Sequence, residues 1–140
     1  MPVTLKQGEL LDYPYLWHRQ QQRGETEGRK TRPVCLAVCI QKADTTHLIF
    51  LAVTGTPPGK GRIAVEIPQI EARRGGLAGW KQGWVIVDEF NHDIAGNSFH
   101  LDLSQAPRGR FSEAFLRKVK EAFRAGLERG ITRQVERSGE

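Results

Sequence analysis

The chain reads as a mainly β, α+β protein: a small curled sheet or barrel whose open side is covered by a C-terminal amphipathic helix. Three observations predict this. Short apolar runs separated by Gly, Pro and polar breakers recur through most of the sequence. From Ser112 onward the pattern switches to apolar residues at helical spacing. The length, 140 residues, is that of one domain, so residues 1–140 are expected to build one core that needs no disulfide or metal staple.

Taken in order, Leu10 to Tyr15 has the composition of a first strand, broken by Pro14. The polar stretch from Trp17 to Arg32, with Gln20-Gln21-Gln22, Gly24 and Gly28, reads as a long exposed loop, a place where function concentrates. Pro33 to Gln41 and His47 to Thr54 are two apolar strands, and the link from Lys42 to Thr46 is short enough for a hairpin. Gly55 to Gly61 is a breaker-rich loop, and Ile63 to Ile67 alternates as a further strand. Pro68 to Arg74 has room for one or two helical turns, stopped by Gly75-Gly76. Trp84 to Phe90 reads as one strand carrying Asp88 and Glu89, and Ser98 to Leu103 as a short edge strand. Phe115, Leu116, Val119, Ala122, Phe123 and Leu127 then mark a helix over about 112–129, with Ser112 as N-cap and Gly130 as the stop. The tail over 132–140 is polar and expected to fray.

Composition excludes several classes. With 39% hydrophobic and 26% charged residues, fibrous and wholly disordered chains are out. The longest apolar runs, Pro33 to Ile40 and Leu48 to Val53, fall far short of the roughly 20 residues of a membrane span. The opening Met1-Pro2-Val3-Thr4-Leu5-Lys6 has no signal core, so a cytoplasmic protein is expected. Twenty-one Lys and Arg against 16 Asp and Glu give a net charge of +5, which permits an anionic partner without requiring one. Cys35 and Cys39, on one strand face, would lie roughly 13 Å apart at about 3.3 Å per residue, too far for a disulfide. They read as buried free thiols. Neither the cysteines nor His18, His47, His92 and His100 show metal-ligand spacing, so no metal and no cofactor is expected. Gly55 to Gly61 is not a phosphate-binding loop, because Lys60 stands where the second glycine belongs.

The segment from Gly24 to Pro33 mixes Glu25 and Glu27 with Arg29, Lys30 and Arg32 at the edge of an apolar strand. Such a loop is either solvated surface or an acid–base pair beside a phosphate. Arg32 is the best placed of these groups, since Pro33 restrains the backbone beside it. Gly8-Glu9, Glu27, Arg32-Pro33-Val34, Leu51-Ala52-Val53-Thr54 and, more loosely, Gly83 to Asp88 follow one another in an order that resembles the MazF/PemK group of type II toxin–antitoxin toxins.

That resemblance implies an SH3-like barrel, a homodimer, and an endoribonuclease that cuts single-stranded RNA without metal. It places catalytic roles on Arg32, Thr54 and Glu27, and suggests a further acidic group at Asp88. Cleavage by the RNA's own 2′-hydroxyl needs a base, an acid and a donor to the phosphate, roles that Glu27, Arg32 and Thr54 suit. Arg29, Lys30, Lys60 and His18 are the expected RNA contacts, with Trp17, Tyr13 or Tyr15 available for base stacking. Packing inside the barrel is the competing role for the tyrosines, and simple exposure the competing role for His18. The implied partner is an acidic antitoxin that lies across Arg32 and the loop before it. Two other functions stay open: a non-catalytic RNA- or protein-binding module on the same barrel, and a gyrase poison. The polar C-terminus, Glu136 to Glu140, lacks the tryptophan segment used by that last class.

Overall fold

β3 (Thr45–Thr54) is apolar on both faces, and that property organises the molecule. Leu48, Phe50 and Ala52 point into one apolar cluster, while Leu51 and Val53 point into another. A strand buried on both sides must be covered twice, and the rest of the chain does so. The computed structural model describes residues 5–18, 31–95 and 105–135. Around β3 lie β1 (Glu9–Tyr13), β2 (Arg32–Lys42), β4 (Ala64–Glu66), α1 (Gln69–Arg74), β5 (Trp84–Ile86), β6 (Glu89–Ile94), β7 (Gly109–Arg110), α2 (Glu113–Glu128) and β8 (Arg133–Val135). The strands run β4-β5-β3-β2-β1-β7, with β6 also on β3 and β8 parallel to β6. All other pairings are antiparallel, and the sheet curls strongly into a half-barrel. The mainly β class expected of the sequence is therefore the observed one. Among the described residues no helix is long and apolar enough to cross a membrane.

Helix α2 closes one face through Phe115, Val119 and Phe123. Ser112 caps it by accepting a hydrogen bond from Phe115 N (3.2 Å), and Gly130 ends it with left-handed backbone, φ 72°. The buried Glu71 carboxylate of α1 accepts from both Ser112 N (2.9 Å) and Ser112 Oγ (2.7 Å), tying the short helix to the start of the long one. The second face holds Tyr13, Tyr15, Trp17, Val34, Leu36 and Phe50.

Four expectations are corrected. Register shifts between Leu36 and Val38 in the β2–β3 ladder, so a bulge turns Ala37 and Val38 to the same side. Cys35 thus faces the α2 cluster and Cys39 packs on the opposite one, rather than both on one face. Burial pushes the Cys35 thiol up to about 12. Second, the run from Trp84 to Phe90 is not one strand. Between the pairs Phe50–Asn91 and Val53–Val85, β3 advances three residues while its partner advances six, and the surplus leaves the ladder at Val87–Asp88. Third, Arg133–Val135, expected to fray, forms β8 against β6. Fourth, the stretch expected to be an exposed loop from Trp17 onward begins with a buried Trp17. The expected edge strand from Ser98 to Leu103 lies outside the described residues.

Gly76 (φ 76°) and Gly79 (φ 92°) both have left-handed backbone. A Cβ on Gly76 would collide with the Arg108 carbonyl, whereas one on Gly79 would meet nothing. Gly76→Ala is expected to cost about 3 kcal/mol or more and Gly79→Ala only backbone strain of about 1 kcal/mol, read from urea unfolding. Equal losses would contradict the close approach of residues 76 and 108.

Candidate functional site

Strand β6 has two unlike faces. Phe90 points to α2 and meets Phe123 edge-on, ring centroids 5.3 Å apart. Its alternate residues Glu89, Asn91 and Asp93 are 4%, 0% and 1% exposed, an expensive row to bury without partners. The partners come from the end of β1 and the segment that follows it. Tyr13 Oη donates to Asp93 (2.6 Å) and Tyr15 Oη to Glu89 (3.2 Å). The Asn91 amide grips the backbone of one residue on both sides, accepting from Leu16 N (2.9 Å) and donating to Leu16 O (2.8 Å). His18 N donates to Glu89 (3.0 Å). Pro14 ends the ladder of β1, and these side chains hold the chain that follows it.

This docking builds a pocket of about 310 Å³, walled by Trp17, His18, Arg62, Asp88, Glu89 and Arg133. Its size is at the small end of ligand pockets, about 300–1,000 Å³. Arg62, delivered by the turn at Gly61 (φ 79°), forks onto Asp88 with bonds of 2.8 and 2.7 Å and reaches Glu89 at 2.9 Å. Asp88 also accepts from Ile63 N (3.0 Å). Arg133 Nη1 lies 3.0 Å from His18 Nε2. Burial pushes Glu89 above the usual carboxylate range, against the pull of the His18 amide, Arg62 and Tyr15. Burial works in the same direction on Asp88, but the hydrogen bonds from Arg62 and Ile63 N prevail and hold it low. Burial, and then the neighbouring Glu89 charge, raises Tyr15 well above the usual tyrosine range, so it serves as a neutral donor.

Arg32 stands just outside. It opens β2, pairs with Tyr13, and lays its guanidinium over the Trp17 ring, 5.0 Å from the centroid. Val34 and Ala52 are paired across β2 and β3. Arg32 and Thr54 each stand two residues further along, on the strand faces those residues define. Thr54 Oγ1 accepts from Thr56 N (3.1 Å). The fold thus sets Arg32 on Trp17 and Thr54 at the adjoining strand end, while Trp17, His18 and Asp88 share the pocket. Lys60 is exposed in the loop just before Gly61. Glu27, Arg29 and Lys30 lie outside the described residues.

Trp17 is 8% exposed, with the Tyr15 ring at its edge (5.1 Å) and Arg32 over its face. Tyr13 and Tyr15 are core, packed on Phe50 and Trp17 respectively. The groups that sequence reasoning missed are Arg62, Arg133 and the Glu89-Asn91-Asp93 row. Polar residues at period two had signalled the row, but that pattern equally describes a solvated strand face. What the arrangement offers is a guanidinium over the face of an indole, beside a pocket edged by imidazole and further guanidinium groups. Such a surface suits a phosphate with an attached planar base. No family model matches the chain, and none of the curated proteins or solved structures compared with it matches either.

The depressed pKa of Asp88 makes its stabilisation present above the ordinary carboxylate range and lost as pH falls through the folded-state value. Asp88→Asn is expected to lower stability at pH 7 by about 1–2 kcal/mol, a figure reduced for screening because Arg62 is about a third exposed. Denaturant unfolding across a pH series checks this. The gap between wild type and variant closes on acidification, and a gap constant with pH would contradict the pairing.

Proposed function

We propose that this chain is a metal-independent endoribonuclease of the MazF/PemK kind, acting on single-stranded RNA in the cytoplasm as the toxin of a type II toxin–antitoxin pair. One observation carries the reading: Arg32, the arginine of the Arg-Pro pair, lies over the ring of Trp17, 5.0 Å from its centroid, and Trp17 walls a pocket of about 310 Å³. Contact with the indole limits the ways the guanidinium can turn, so its donors are oriented before an anion arrives.

In this reading the scissile phosphate sits against Arg32, with the Thr54 hydroxyl on a second non-bridging oxygen. The 2′-hydroxyl loses its proton to Glu27 and attacks phosphorus. The bond to the 5′ oxygen breaks, and that oxygen takes a proton from Arg32 or from water. The products are a 2′,3′-cyclic phosphate and a 5′-hydroxyl, with atoms and charge conserved. The base beside the phosphate enters the pocket at His18 and Arg133. Arg29, Lys30 and Lys60 track the backbone, which makes binding salt-dependent. The basic chain has an acidic antitoxin as its partner and forms a homodimer.

A second reading, a non-catalytic RNA-binding module, is favoured by a different observation. Both carboxylates of the pocket are already engaged, Asp88 by Arg62 and Ile63 N, Glu89 by Arg62, Tyr15 and His18 N.

The two are separated by incubating a long single-stranded RNA with purified protein in excess EDTA. Discrete cuts bearing cyclic phosphate ends are expected, slowed by about 100-fold or more in Arg32→Ala, with circular dichroism showing both proteins folded. RNA that is bound by folded wild type but never cut would overturn the enzyme in favour of the module.

A further inference from the structure

A larger concavity than the Trp17 pocket lies elsewhere. A groove of about 790 Å³ runs between α2 and the far ends of β2 and β3, and it shares no lining residue with the Trp17 pocket. Its floor is apolar, made by Val38, Ile40, Ile49, Leu116, Phe123 and Leu127. Two of these, Ile40 (41%) and Leu127 (44%), are among the four large apolar side chains that the described part of the molecule leaves exposed. The β2 bulge contributes directly, because it turns Val38 toward the helix.

The rim is basic. Arg110, Arg117, Lys120 and Arg124 edge the groove, against the carboxylates Glu113 and Glu121. Arg110 and Lys120 spend hydrogen bonds on Gln7, at its backbone oxygen (3.1 Å) and its Oε1 (3.4 Å). Arg117 and Arg124, about one and three turns along α2, have no carboxylate within 4.0 Å among the described residues. An apolar floor with cationic sides is matched by a segment with one apolar face and acidic flanks.

We infer that this groove docks an acidic, amphipathic segment of a protein partner, with apolar side chains seated between Ile40 and Leu127 and carboxylates against Arg117 and Arg124. The groove does not depend on the ribonuclease reading, since none of its residues takes part in that chemistry. A bound segment here leaves the pocket at Trp17 open.

The probe is a labelled 18-residue synthetic peptide with Leu at helical i, i+3, i+4, i+7 spacing and Glu elsewhere, followed by fluorescence anisotropy against the full chain. Saturable binding is expected, weakened tenfold or more by Arg117→Glu combined with Arg124→Glu, and separately by Ile40→Asp. The double reversal Lys42→Glu with Lys81→Glu, of equal charge change on exposed residues outside the groove, leaves binding within twofold. A peptide with Lys in place of Glu does not bind. Absence of saturable binding, equal binding of the Lys peptide, or equal losses in both double reversals would overturn the proposal. So would sedimentation showing a dimer that Ile40→Asp dissolves, because a second copy would then be the occupant.

Discussion

The buried polar row of β6 is the constraint on which the rest of the structure depends. Glu89, Asn91 and Asp93 are buried along one face of β6, where unpaired polar groups each cost about 1–3 kcal/mol. The chain from Tyr13 to His18 bonds to all three, with Arg62 adding a bond to Glu89 and Ile94 N one to Asp93. The seating of that chain is therefore tied to the burial of the row. The Asn91 amide substitutes for a neighbouring strand, giving the Leu16 N–H and C=O both bonds that a ladder would have supplied. Once Tyr15, Leu16 and His18 are held, Trp17 has nowhere to go but the inner face, and Arg32 meets its ring. The pocket is a by-product of that satisfaction.

A second consequence concerns where strands break. The ladder of β3 changes partner from β6 to β5, and the surplus residues Val87–Asp88 stand out of the sheet. That interruption puts two acidic residues, Asp88 outside the ladder and Glu89 at its start, within reach of one guanidinium. Arg62 in turn is placed by the turn at Gly61, while Thr132 Oγ1 donates to Val87 O (2.8 Å) and anchors the return of the chain after α2. Two distant segments thus converge on one bulge.

Local chemistry was legible from the sequence, and sheet geometry was not. The Ser112 cap, the Gly130 stop, the glycine-terminated α1 and the β2–β3 hairpin all rest on residues whose preference is intrinsic, and the structure has each of them. The bulge at Ala37 has no such signature, because any residue of an apolar run accommodates it, and so simple alternation puts Cys39 on the wrong face. Likewise β8 is polar by composition and becomes a strand only through pairing with β6. At the candidate site Arg32, Trp17, His18, Thr54 and Asp88 were identifiable as residues, and the fold gathers four of them around one wall. Arg62 and Arg133 were not, since an arginine in a loop or tail has no pattern until a carboxylate or imidazole in another element meets it.

The central claim is that side chains of β6 hold the segment after Pro14, and the amide of Leu16 reports on it directly. Native-state hydrogen exchange should find Leu16 and His18 protected nearly as well as the central strand β3, with Asn91→Leu releasing Leu16 while β3 stays protected. Exchange of the Leu16 amide in wild type at the rate of an unstructured peptide would contradict the account, because the chain around Trp17 would then not be docked at all.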